Sequence, residues 1–269
     1  MLTEIWITAV FAMFIWWFST GVILLVVRRA DVLGGPAPAK ATLFGLPLLA
    51  IGLAFVWISS TGADVLSVYL AFLGALAIWG WIELAFLTGV ITGPEKRDCP
   101  VGLQGRARFG RAWWTVAYHE LTLLAGLVVV ELLTRGSGND VAFWAYAILF
   151  IARILAKLNV FFGIPRINTE FVPRPLAHLT SYFRRGPITA MFPLAITILS
   201  FGMACFLQRL WVAETDPAIV AATLLTTLSG LALLEHWLMV VPLPDAKLWR
   251  WMLPAPADMT SEERKTNGL

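Results

Sequence analysis

Residues 141–165 read VAFWAYAILFIARILAKLNVFFGIP, an apolar run long enough to cross a bilayer as a helix. Arg153 and Lys157 stand inside it, one helical turn apart on one face. A cation at the centre of a bilayer costs roughly 2.5–3.5 kcal/mol on insertion scales. Two such residues in one span require partners, and finding them organises the rest of the chain.

The surroundings of that run settle the fold class. Of the 269 residues, 59% are hydrophobic and 14% charged, against about 25% charged in soluble domains. Seven apolar spans of about 18 residues or more are expected, near 5–27, 41–58, 65–91, 113–133, 141–163, 190–210 and 218–241. The breaks between them carry Gly, Pro, Asn, Asp and charge, as in RRADVLGGPAPAK and TRGSGND. The runs lack the period-two alternation of barrel strands, so an all-α polytopic membrane bundle is expected. The first span lacks a preceding basic segment and a small-residue cleavage site and is read as a retained anchor. A single seven-helix domain over 1–245 is expected, followed by a cytoplasmic tail, 246–269, with a disordered end.

Cation placement orients the bundle. Of the 20 Lys and Arg, sixteen fall in the loops after spans one, three and five and in the tail. Arg135 and Arg209 alone fall on the other side. The positive-inside rule then places the N-terminus in the periplasm and the C-terminus in the cytoplasm. The buried polar residues group by depth under that topology: Glu83 in span three, His119 and Glu120 in span four, Arg153, Lys157 and Asn159 in span five, and Glu235 and His236 in span seven. At 1.5 Å per residue the charged members and the histidines fall in a layer roughly 8–15 Å from the cytoplasmic boundary. Arg153 is expected to bond Glu83, Glu120 or Glu235. Two readings of the layer stand: an ion-pair network that fixes helix order, or the lining of a site for a ligand, proton or cofactor.

Other chemistries find little support. The HE and EH pairs lack HExxH or ExxH spacing, so no metal site is expected. An apolar-span histidine, His119 or His236, can also ligate the magnesium of a chlorin, a very unspecific signal. Cys99 and Cys205 lie on opposite sides and are not expected to pair. Span seven has no lysine for a retinal Schiff base. No phosphate loop, dinucleotide fingerprint or nucleophile elbow is present, and no nucleic-acid partner is expected. Most of the 13 Trp fit aromatic belts at span ends. The segment PRPLAHLTSYF is expected to lie along the cytoplasmic interface as a helix, with Leu176, Leu179 and Phe183 toward the bilayer.

Residues 92–193 carry a further pattern: GP and CP before a His-Glu pair, then KLNVFFG, NTEFVP, LAHLTSYF and FP. Together these resemble the PuhE family of photosynthetic complex assembly proteins. Thr189 stands where many relatives carry Asn. The resemblance implies purple phototrophic bacteria, an inner-membrane location and a role in assembling the reaction centre and its core light-harvesting complex. Bacteriochlorophyll is the cofactor it brings into view, and reaction-centre and antenna subunits the partners, besides membrane lipid. It implies no catalytic residues. The family-like positions include Cys99, His119, Glu120, Lys157, Asn159, Asn168, Glu170 and Tyr182. Alternatives are a transporter of a proton or small pigment precursor, and a membrane enzyme acting on pigment or lipid.

The orientation is open to direct measurement. Reporter fusions after Gly35, Gly105 and Gly186 are expected to report cytoplasm, and those after Gly62 and Gly138 the periplasm. One loop reporting the opposite side contradicts the seven-span topology.

Overall fold

The computed structural model describes residues 2–170 and 172–242. The proposed tail, 246–269, lies outside these described residues. The chain folds as α1 (Leu2–Leu33), α2 (Ala37–Phe44), α3 (Leu46–Ser60), α4 (Val65–Leu87), α5 (Gly105–Thr134), α6 (Val141–Phe162), a 3-10 helix (Arg174–Tyr182), α7 (Met191–Trp211) and α8 (Asp216–Leu238). Among the described residues there is no β-strand, only one isolated bridge between Ile164 and Arg185. Seven helical spans are long and apolar enough to cross a membrane, with α2 and α3 together making the second.

Three boundaries differ from expectation, each for a local reason. The second span is broken at Gly45, because Pro47 has no N–H to return to Leu43. α4 stops at Leu87, where Gly89 N–H donates to Phe86 O (2.8 Å) and Val90 N–H to Ala85 O (3.0 Å). α5 begins at Gly105, so Arg106, Arg108 and Arg111 ride on a helical extension and not in a loop.

α4 is the central helix, packed by α1, α3, α5, α6 and α8. Its closest neighbour is α3. Gly52 and Gly74 face each other there, and a Cβ on Gly74 would lie 2.9 Å from Gly52 O. Such small-residue contacts let helices approach where no hydrophobic effect drives them together. The core runs through Phe72, Ile78, Leu123, Val130, Tyr146, Leu224 and Leu228, all fully buried. Large apolar side chains also cover the outside, with Trp6 69%, Trp57 66%, Phe201 73% and Trp211 89% exposed. An exterior this rich in large apolar side chains suits lipid and not water.

The two ends of the bundle are built differently. At the cation-poor end polar side chains cap backbone groups. Asn139 Nδ2 donates to Ser59 O (3.0 Å), and Asn139 Oδ1 accepts from Val141 N–H (3.2 Å). Tyr146 O–H donates to Leu123 O (3.0 Å). At the cation-rich end two long connections, 88–104 and 163–190, fold back over the helices.

Candidate functional site

The partners of Arg153 and Lys157 come from two neighbouring helices. Arg153 Nη2 donates to Glu83 Oε2 of α4 at 2.8 Å. Lys157 Nζ donates to Glu120 Oε1 of α5. The spacing of one turn on α6 is matched by one carboxylate from each flanking helix, so each cation has its own anion. Phe86, one turn beyond Glu83 and one residue from the end of α4, binds the pairs together. Its ring stacks on His119 at 4.1 Å between centroids. Lys157 Nζ lies 5.2 Å and Arg153 Cζ 5.9 Å from the ring centre. These distances are within reach of the cation–π attraction.

His119 is fully buried, and its Nε2 lies 3.7 Å from Glu83 Oε1, longer than a hydrogen bond. Its backbone is bound outward. His119 N–H donates to Thr92 O (2.9 Å), and Trp114 O accepts from Glu95 N–H (3.2 Å). The loop 92–95 therefore lies directly against the α5 backbone. Gly93 makes this approach feasible, since a Cβ there would sit 2.0 Å from Trp114 O. Glu95 locks the register through Arg111 Nη2 at 2.9 Å. The Arg97 backbone N–H and then the nearby Arg111 hold the Glu95 carboxyl below its usual range.

Two members of the expected layer stand apart. Asn159 Nδ2 donates to Leu155 O of its own helix (3.0 Å), and Asn159 is fully buried. His236 is likewise bound within its own helix, Nδ1 to Ala232 O at 2.8 Å, and is 1% exposed. Glu235, the next residue round α8, points the other way and opens into a cavity. Adjacent helical residues differ by about 100° in direction, so here His236 meets the packed core and Glu235 the cavity.

That cavity, of about 1060 Å³, spans the cation-rich half of the bundle. Phe86 and Leu87 stand at its top, and α1, α5, α6 and α8 form its walls. Glu120, Arg153, Lys157 and Glu235 are its membrane-depth charged groups. Its volume is at the upper edge of the roughly 300–1,000 Å³ common for ligand sites. The segment 165–185 closes the cation-rich side. Leu176, Leu179, Tyr182 and Phe183 line the cavity, and Leu176 is 2% exposed. The interfacial-helix expectation is thus corrected. The 3-10 helix turns its apolar face onto the bundle, because inward burial is available there.

This segment forms a strap, anchored to neighbouring elements through Arg174, Ser181 and Tyr182. Arg174 N–H donates to Asp31 Oδ2 (3.2 Å) and Cys99 N–H to Ser181 Oγ (2.8 Å). Tyr182 O–H donates to Arg97 O (3.1 Å). Arg108 reaches from α5 to Tyr182 O (2.6 Å) and Phe161 O (3.3 Å) and lies 4.2 Å over the Phe161 ring. Burial pushes the Tyr182 phenol above its usual range. Asn168 Oδ1 accepts from Glu170 N–H (3.2 Å), an Asx turn at the cavity mouth. Cys99, Asn168, Glu170 and Tyr182 thus join the connections that close the cavity. Sequence reasoning singles out neither Phe86 nor Arg108, and holds Gly93 only as part of the GP pair. Gly93 precedes a proline, a visible turn signal, but Phe86 and Arg108 matter only through distant partners. Cys99 and Cys205 are both free. Among the described residues no three His, Cys, Asp or Glu side chains are grouped to hold a metal.

The pairing is specific and can be tested as such. Removing one partner of a buried pair costs about 3–5 kcal/mol in soluble proteins, less where a bundle admits water. Arg153→Leu is expected to lower accumulation of the protein, and Glu83→Gln in the same chain to restore part of it. Glu120→Gln is expected to do so for Lys157→Leu and not for Arg153→Leu. Equal rescue by either carboxylate change contradicts the assignment of pairs.

Comparisons place the chain among known sequences. A family described as a protein of unknown function, DUF3623, matches residues 2–260. A protein of Rhodobacter capsulatus, described as a 30.4 kDa protein in the puhA 5′ region, is 45% identical over 260 residues, covering 96% of this chain and 95% of its own length. No solved structure matches. With the match running through all seven spans, the chain belongs to the DUF3623 family.

Proposed function

We propose that this chain is a membrane assembly factor for the photosynthetic reaction centre and its core antenna. It acts in the bacterial inner membrane as one seven-helix domain, from the cation-rich side, taken as cytoplasmic. The observation that carries the reading is the relative whose description places it in the puhA 5′ region. The family-like motifs of residues 92–193 support it, because they build the docked loop, the strap and the cavity mouth. Those are the parts that an assembling subunit would meet from the cytoplasm.

A transporter is less well supported. The lining reaches no further toward the cation-poor end than Leu124 on α5 and Phe150 on α6. Beyond them Val130, Tyr146 and Leu224 are fully buried. Among the described residues the charged lining of the cavity does not continue outward past them. The residues also do not fit a chlorin held through imidazole. His119 and His236 are closed off and neither lines the cavity. Any handling of bacteriochlorophyll would use the cavity's apolar walls and its carboxylates, not an axial histidine.

Deleting the gene is expected to lower reaction-centre and core-antenna absorbance while leaving aerobic, non-phototrophic growth intact. Normal pigment–protein spectra through the whole induction period would contradict the assembly reading.

A further inference from the structure

The charges around the cavity are unevenly matched. Arg153 and Lys157 each have a carboxylate in contact. Glu235 has no ion-pair partner within 4 Å among the described residues, and its side chain faces the cavity. The adjacent His236 is buried in the core, which turns Glu235 toward the cavity side of α8. Arg153 acts on Glu235 only from beyond contact distance while it holds Glu83, so Glu235 lacks a contacting partner, and the cavity is where one can come from.

The cavity's shape says how such a partner would arrive. Trp16, Thr20 and Leu24 of α1 line one side, and Leu121 and Leu124 of α5 the other. The two helices flank the cavity without a packed interface between them. Leu121 is 56% and Leu124 46% exposed although both line the cavity. The gap between α1 and α5 therefore faces the hydrocarbon of the bilayer. The strap closes the remaining approach with Leu176 and Leu179.

We infer that the cavity binds a membrane-borne amphipath: one long apolar chain with a hydrogen-bond-donating, non-anionic head, of which a long-chain alcohol is the simplest example. It enters sideways between α1 and α5 and sets its head on Glu235. An anionic head would bring a second negative charge beside Glu235, while both neighbouring cations already hold carboxylates. A donor head satisfies the free carboxylate instead. The apolar chain then lies along Trp16, Leu24 and Leu124. This inference stands on the cavity alone. Loss of the deletion phenotype and loss of binding are separate outcomes.

The test uses the full chain in lipid nanodiscs, with a diazirine-bearing long-chain alcohol and the fatty acid of the same chain length as probes. Photolabelling by the alcohol is expected to saturate, to be competed by unlabelled alcohol, and to map to peptides around Trp16–Leu24, Leu121–Leu124 or Leu176–Leu179. Glu235→Leu is expected to lower it about tenfold, the scale of one hydrogen bond to a charged group. Leu124→Trp, which fills the lateral gap from a lipid-facing position, is expected to lower it without disturbing the core. That variant carries the test if Glu235→Leu fails to accumulate. Unsaturable labelling spread over all lipid-facing helices would overturn the site. Stronger labelling by the acid would overturn the head chemistry, and unchanged labelling in both variants would overturn the pose.

Discussion

A cation cannot be left alone among hydrocarbon, and this structure is arranged around two that are not. Arg153 and Lys157 occupy successive turns of α6. Glu83 and Glu120 meet them from α4 and α5. Satisfying both pairs at once fixes the rotation of three helices about their axes. A turn of α6 by one residue would carry both cations away from both carboxylates together. In a bundle whose outer surface is as apolar as its core, such polar contacts hold orientation where the hydrophobic effect between helices is weak.

The same constraint shapes the space beside the pairs. Phe86 fills the gap between His119 and the two cations, so the polar layer has a packed back and an open front. The front is the cavity. Its closure relies on backbone contacts made far away in sequence. Gly93 lets one loop lie against α5, and Arg108 ties the strap to α5 and α6. Losing either contact would loosen the cavity's wall without touching an ion pair.

Much of this was legible from the residues alone. Span number followed from hydropathy, and the depth argument brought Glu83, Glu120, Arg153 and Lys157 to one level before any contact was known. Depth does not give direction round the helix, so it groups with the ion pairs Asn159 and His236, which bond within their own helices. The strap shows a similar limit. Its apolar spacing is real, but spacing alone cannot say whether that face meets lipid or protein, and burial of Leu176 decided for protein. Pro47 was visible, yet apolar runs on both sides masked the break it causes. Phe86 looked like one more apolar residue of α4, because nothing local marks a ring that must stack on a histidine from another helix.

The central claim is that α6 turns one face to an open cavity and another to a closed core. Substituted cysteines test it most directly, in a chain with Cys99 and Cys205 replaced by serine. Ile154 lines the cavity, whereas Ala152, about 200° away round the helix, is 7% exposed and packed in the core. Ile154→Cys is expected to react readily with a small maleimide, and Ala152→Cys to react only after denaturation. Equal reactivity at the two positions, or faster reaction at Ala152→Cys, would contradict the account.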